Sequence, residues 1–266
     1  TRLLKHQIDQ ISALPSDCLF QNYLRCHDDI GWGLDYPWLR QFGTEEVSHK
    51  KYLNDWFTGK WPGSPSRGEL YNDDPRLGDA RLCGTTASLC GMESAKTEEE
   101  VELALACDLM LHAWMLTQSG IPVLYSGDEV GQLNDNSYHD DPDKAADSRY
   151  LHRGNFDWEK AELRKDTATY QGKLFAALRK LETIRGSEPV FRSDAKMTAF
   201  DTGSVNVLGI RRDLGDEHFI GLFNFSPKNV PLLMRGENGV DLLRPEITVN
   251  TQIELPPYGF LWMKTA

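Results

Sequence analysis

Apolar residues recur at Leu3, Leu4, Ile8, Ile11 and Leu14, the spacing of one helix face, and Pro15 predicts where that helix stops. Phe20 to Cys26 is a short apolar and aromatic run, too brief for an average helix and suited to a buried strand. It empties into His27, Asp28, Asp29 and a Gly-Trp-Gly turn. Between Ile30 and Met92 the periodicity weakens, with Trp32, Tyr36, Trp38, Tyr52, Trp56, Phe57 and Trp61 scattered among Pro, Gly and charges. His49 to Phe57 suggests a short helix there and WPGSPSRG a loop, so residues 30–92 are expected to form an inserted lobe. Thr97 to Gln118 predicts a long helix: Glu98, Glu99 and Glu100 complement its amino-terminal dipole end, and Val101, Leu105, Leu109, His112 and Leu116 repeat along one face. Gly120 stops it, and IPVLYSGDE predicts a second buried strand with a polar carboxyl end. A hydrophilic loop follows from Gly131 to about Lys165, then a helix over Tyr170 to Ile184 through Leu174, Leu178 and Leu181. From about Ala199 the pattern changes to short β-rich segments divided by Gly, Pro, Asp and Asn, with a boundary at Gly186 to Pro189.

Two successive helix–strand units with polar strand ends, followed by an antiparallel domain, predict the α/β class. Residues 1–186 read as the last strands and helices of a (β/α)₈ TIM barrel, and residues 187–266 as an antiparallel β-sandwich domain. A doubly wound sheet is the alternative, but the chain has no Gly-x-Gly-x-x-Gly or Walker loop. A barrel also explains why both polar ends would face one pocket, since its catalytic groups come from the carboxyl ends of several strands.

Charge narrows the partners. Lys plus Arg number 29 against 40 Asp plus Glu, a net charge of -11, which disfavours a nucleic-acid partner. No run of eighteen apolar residues is present, so no membrane span is expected. Cys18, Cys26, Cys83, Cys90 and Cys107 are odd in number and contain no Cys-x-x-Cys pair, which predicts free thiols; a bacterial-type cytoplasmic protein fits, with secretion left open. The helix pattern is already under way at Thr1, so the chain is expected to be a piece of a longer polypeptide.

The candidate chemistry starts with Asp28 and Asp29. Two adjacent carboxylates repel if both are ionised and dry, so a site that keeps them must supply donors, a metal or a substrate rich in hydroxyls. RCHDDIGWG, GDARLCGTTASLCG, GDEVGQLND and DDPDKAADSRYLHR together resemble the α-amylase superfamily, glycoside hydrolase family 13, and within it the branch of amylosucrases and sucrose hydrolases. These motifs span Arg25 to Arg153, and the β domain suits the family's C-terminal domain, so the resemblance covers nearly the whole chain.

The resemblance implies that Asp28 is the transition-state stabiliser, gripping sugar hydroxyls as positive charge develops on the ring, and that His27 donates a hydrogen bond at the same glucose subsite. It implies that Asp29 is an extra carboxylate at the edge of the leaving-group or acceptor subsite. Arg81 resembles a lobe arginine that contacts the acceptor or product sugar, with a structural ion pair as the alternative. Arg149 resembles an arginine that pairs with an aspartate from an earlier barrel loop, outside these residues, and closes the pocket behind the terminal glucose. Lys50 and Tyr52 are candidates for lining the acceptor path. Asp128 and Glu129 are implied to be architectural, and the acidic loop GQLNDNSYHDDPD lacks EF-hand spacing, so neither a metal nor a cofactor is expected.

The family's nucleophile and acid/base sit on earlier strands, so they are expected in a missing N-terminal part of the same enzyme, and this chain alone is expected to be inactive. The implied substrates are sucrose and α-glucan or maltooligosaccharide acceptors. The implied reaction is transfer with retention, releasing fructose and extending α-1,4-glucan. Hydrolysis to glucose and fructose, a broader α-glucosidase or α-amylase activity, and a non-enzymatic carbohydrate-binding derivative are the alternatives.

Overall fold

The computed structural model describes every residue except Ser16, Arg235 and Ala266. In chain order the elements are α1 (Arg2–Ser12), β1 (Gln21–Asn22), β2 (Ile30–Gly31), α2 (Tyr36–Leu39), α3 (Glu46–Phe57), β3 (Glu69–Asp74), β4 (Asp79–Cys83), α4 (Thr86–Leu89), α5 (Glu98–Thr117) and β5 (Ile121–Pro122). They continue with α6 (Trp158–Ala161), α7 (Tyr170–Ser187), β6 (Lys196–Phe200), β7 (Val207–Leu214), β8 (Glu217–Asn224), β9 (Val230–Leu233), β10 (Gly239–Asp241), β11 (Arg244–Val249), β12 (Gln252–Leu255) and β13 (Phe260–Thr265). Helix starts follow local chemistry. Thr97 Oγ1 accepts from the Glu100 N–H at 3.2 Å while the Glu100 carboxylate accepts from the Thr97 N–H at 3.1 Å, a reciprocal capping box that opens α5. Asp35 caps α2 and Asp157 caps α6 in the simpler way, through one side-chain oxygen.

The chain divides into two compact units. One comprises residues 1–23, 109–123 and 176–266. Here β1 and β5 pair in parallel, with Gln21 opposite Ile121, and the Ile121 N–H donates to the Phe20 carbonyl at 2.8 Å. Gly120 lets the chain turn out of α5 to reach β1: its φ is +115°, and a Cβ there would lie 2.2 Å from the Phe20 carbonyl oxygen. The two buried strands expected at residues 20–26 and 121–129 are thus far shorter, and their apolar side chains are not covered. Leu19, Phe20, Tyr23, Ile121 and Val123 are all exposed, the last three at 51%, 53% and 40%. Parallel strands are normally paired on both sides and covered on both faces; among the described residues this pair has one ladder only.

The same unit holds the C-terminal strands. Six form an antiparallel sheet in the order β11-β10-β13-β8-β7-β6, and β9 and β12 form a separate two-stranded ribbon. Instead of two facing sheets of similar size, one sheet carries a ribbon on it, and Ile220, Leu222, Leu261 and Met263 of the sheet share a core with Val230, Leu232 and Leu255 of the ribbon. Arg212 of β7 is fully buried, and its guanidinium donates to the carbonyls of Val190, Thr117 and Arg192 at 2.7 to 2.9 Å. Burial pushes its pKa down to about 10.

The other unit comprises residues 24–108 and 124–175. Residues 30–83 form an antiparallel sheet, in the order β2-β4-β3, with α3 against β4. Cys83, Tyr138 and Leu151 form a small core with the half-buried Tyr71 and Tyr150. That core fixes the loop after residue 131 against the sheet. All five cysteines are free thiols. Among the described residues no helix is long and apolar enough to cross a membrane.

Candidate active site

Residues 24–33 are anchored from below by Arg25. Its side chain is 3% exposed, and its Nε donates to Asp128 Oδ1 at 2.8 Å, where the carboxylate side chain is 2% exposed. The guanidinium also lies 4.6 Å from the centre of the Tyr125 ring. A buried ion pair of this kind holds geometry, because either charge left without the other is costly in a dry interior. Asp128 is therefore engaged in the scaffold.

His152 forms the second anchor. It is 4% exposed; its Nδ1 accepts the Gly84 N–H at 3.1 Å, so its Nε2 carries the proton and donates to the His27 carbonyl at 3.3 Å. Burial lowers its pKa to about 4, with the Arg25 and Arg153 charges acting in the same direction, and the ring is neutral. Arg153 Nε donates to the same His27 carbonyl at 2.6 Å.

On this base the side chains of His27 and Asp28 stand 67% and 52% exposed, with His27 Nε2 3.2 Å from Asp28 Oδ2. The other carboxylate oxygen, Oδ1, faces two arginines: Arg153 Nη2 at 3.2 Å and Arg149 Nη1 at 3.7 Å. Arg149 is oriented in turn by Asp147, whose two oxygens accept from its Nε and Nη2 at 2.8 Å each, and by the Tyr71 ring at 4.6 Å. The hydrogen bonds from Arg149 hold the Asp147 carboxyl below its ordinary pKa. Within this chain the bidentate partner of Arg149 is Asp147, two residues before it, and its Nη1 is turned to Asp28. A partner two residues away holds the fork by a local turn, which the Asp147 cap on the Arg149 N–H completes.

Asp29, 19% exposed at its side chain, lies 4.0 Å from Arg81 Nε, the long distance of an ion pair that a bound hydroxyl could bridge. The Arg81 guanidinium crosses Gly31 so closely that a Cβ there would sit 2.0 Å from Nη1. The cluster thus alternates three carboxylates, Asp28, Asp29 and Asp147, with Arg81, Arg149 and Arg153. Beneath it burial, reinforced by Asp29 and Asp147, pushes the Cys83 thiol up to about 12, which leaves it protonated and unreactive.

Lys50 and Tyr52 lie on α3 in the lobe. The Lys50 ammonium is held by Asp79 at 2.5 Å and Glu46 at 2.8 Å, which raises its pKa, and the residue is 9% exposed. Its donors serve the lobe. Tyr52 is exposed enough to meet a ligand and packs edge-on against Trp61 with ring centres 4.9 Å apart. The structure therefore brings His27, Asp28, Asp29, Arg81 and Arg149 into one cluster and gives Lys50 and Tyr52 separate settings. Sequence reasoning missed Arg25, Asp147, His152 and Arg153 as members. The last three share the stretch DSRYLHR with Arg149, and the single 3₁₀ turn over Ser148–His152 is what gathers them.

No protein-family model matches the chain. Glucosylglycerate phosphorylase of Escherichia coli K12 is 27% identical over 173 residues, which are 64% of this chain and 30% of that protein. The chain thus spans less than a third of the length of this curated relative. Among solved structures, a variant of AmyP in complex with maltotriose has a TM-score of 0.51 at 19% identity, over 67% of this chain and 38% of its own. A trehalulose synthase MutB variant in complex with Tris has a TM-score of 0.50 at 19% identity, over 60% and 38%. These structures share the fold.

Proposed function

We propose that the chain is the C-terminal part of a retaining glucosyltransferase that acts on sucrose in the manner of amylosucrase. The observation that carries this reading is Asp28, a half-exposed carboxylate with one oxygen toward Arg149 and Arg153 and the other toward His27. The arginines address one of its oxygens, and its exposed face is left to accept hydrogen bonds from vicinal sugar hydroxyls. That grip tightens as the ring takes on oxocarbenium character, so the interaction favours the transition state over the bound substrate. Asp28 is neither nucleophile nor acid here. Those two carboxylates belong to the remainder of the enzyme, whose barrel strands would pair beside β1 and β5 and cover the exposed Phe20, Tyr23, Ile121 and Val123.

In the complete reaction the nucleophile displaces fructose from C1 of the glucosyl unit while the acid protonates the departing oxygen. The same group then removes a proton from the 4-hydroxyl of an α-glucan as it attacks the glucosyl-enzyme. Asp29 with Arg81 forms the acceptor side. Arg149 and Asp147 close the rear of the glucose subsite, which imposes transfer of one glucosyl unit.

The likeness to glucosylglycerate phosphorylase favours a second reading, in which inorganic phosphate accepts the glucosyl group. Product analysis of the full-length enzyme on sucrose, with and without phosphate, separates the readings. Insoluble α-1,4-glucan with free fructose supports transfer, glucose with fructose supports hydrolysis, and phosphate-dependent glucose 1-phosphate supports phosphorolysis. Release of sugars from maltooligosaccharides with no action on sucrose would overturn the sucrose assignment.

A further inference from the structure

We propose that Cys26, His27 and Asp28 together form a site for one zinc-type divalent cation, and that filling it shuts the catalytic centre. The inhibitory consequence rests on the role given to Asp28 above; the binding site does not. Cys26 Sγ, a ring nitrogen of His27 and a carboxylate oxygen of Asp28 all lie within 4.8 Å of one another. His27 Nε2 and Asp28 Oδ2 are already 3.2 Å apart. That matches the edge of a tetrahedron, roughly 3.3 Å for zinc bonds of about 2.0 to 2.1 Å. The sulfur completes the face by moving inward roughly 1 Å, to the longer edge that a zinc–sulfur bond of about 2.3 Å requires. His27 and Asp28 are free to adjust, since their side chains are more than half exposed.

The surroundings suit a dication in this place. The arginines address Asp28 through Oδ1, which leaves Oδ2 on the side of His27 and Cys26. The Asp28 N–H points at Cys26 Sγ at 3.3 Å and orients the sulfur. On binding, the Cys26 thiol gives its proton to solvent as the sulfur–metal bond forms, and His27 supplies a lone pair from the neutral ring; nothing is oxidised or reduced. Thiolate and carboxylate then cancel the charge of the ion. A set of one sulfur, one nitrogen and one oxygen selects zinc-type ions over calcium or magnesium, which take oxygen alone. The fourth position stays open to water or a sugar hydroxyl. With Oδ2 on the metal and His27 withdrawn from the sugar, the cluster loses two of its contacts to the glucosyl ring, and inhibition should compete with sucrose.

The test is to titrate chelator-treated, full-length enzyme with Co²⁺ and follow the thiolate-to-cobalt charge-transfer absorption. Zn²⁺ is then added to displace the cobalt, and Cys26→Ser is carried in parallel. We expect one cobalt per chain with the thiolate band, displacement by zinc, and loss of sucrose turnover in step with zinc occupancy. Loss of an outer-shell partner typically weakens metal binding by about 10- to 100-fold, so removing a direct ligand in C26S should weaken it by at least about 100-fold. C26S keeps an acceptor for the Asp28 N–H, and its turnover in chelator-treated buffer should equal that of the parent. A band of equal strength and affinity in C26S, or no band in the parent, would overturn the site. Cobalt bound through Cys26 in an enzyme inert toward sucrose would overturn the functional reading and leave the site standing.

Discussion

Lowering the pH should loosen the loop that carries His27 and Asp28, and His152 is the group that does it. In the native state its Nδ1 accepts the Gly84 N–H, and its Nε2–H holds the His27 carbonyl. Protonation would set one N–H against another, in a buried site that already contains the Arg25 and Arg153 charges. Burial is the largest cause of its depressed pKa, which falls from 6.5 to about 4. The unfolded chain therefore takes up this proton near pH 6.5 and the native chain only near pH 4. The stability that the neutral ring contributes is fully present above pH 6.5, is lost as pH falls toward 4, and loses no more below that. A gap of about 2.5 units at about 1.36 kcal/mol each makes the loss roughly 3 kcal/mol.

The assay is urea unfolding of the full-length enzyme and of His152→Gln between about pH 7.5 and about pH 4, with the difference between the two taken at each pH. Other carboxylates titrate in both proteins and cancel in that difference. Gln keeps one donor for the His27 carbonyl but cannot titrate. H152Q should start less stable and converge on the parent as the pH falls. Parallel curves across the whole range would refute the assignment of His152 as a neutral, pH-sensitive anchor.

Other substitutions test the remaining contacts. Arg25→Met removes the buried partner of Asp128 and should destabilise the enzyme by about 3 to 5 kcal/mol in denaturant unfolding, with partial recovery when Asp128→Leu is added. Gly31→Ala places a methyl group 2.0 Å from Arg81 Nη1. Because the guanidinium end can swing away, stability should change by less than about 1 kcal/mol, while the ratio of transfer to hydrolysis falls as Arg81 leaves Asp29. An unchanged product ratio would remove Arg81 from the acceptor side. Arg153→Lys keeps the charge but loses the fork that joins the His27 carbonyl to Asp28, and should lower kcat about tenfold with a smaller change in KM.

Much of the fold was legible because its signals are local. The Glu98, Glu99 and Glu100 start of α5, the Leu174, Leu178 and Leu181 stripe of α7 and the short β-rich segments divided by turn residues in β6 to β13 are written in short windows of sequence. The run from Phe20 to Cys26 misled for a physical reason: its composition is that of a buried strand, yet burial depends on neighbours, and among the described residues β5 alone pairs with it. The β3–β4 hairpin was invisible because Glu69, Asn72, Asp73 and Asp74 carry little strand propensity. Its register is set by tertiary contacts, with Ile30 and Leu70 both opposite Leu82.

The candidate site divides in the same way. His27, Asp28 and Asp29 stand out as a polar strand end, and the resemblance of the longer motifs supplied Arg81 and Arg149. Asp147, His152 and Arg153 were printed beside Arg149, but their roles depend on the 3₁₀ turn that brings residues four apart to one carboxylate. Lys50, a candidate from sequence for lining the acceptor path, has its ammonium enclosed by Glu46 and Asp79.

The central claim is that Asp28 steadies a developing charge without making or breaking a bond itself. Its most direct test is Asp28→Asn in the full-length enzyme, with kcat measured on sucrose and substrate affinity measured separately by calorimetry. Loss of one such electrostatic contact should cost on the order of 10²- to 10³-fold in kcat, with far less change in affinity. Near-parental turnover in D28N, or an equal loss of binding and rate, would contradict the account.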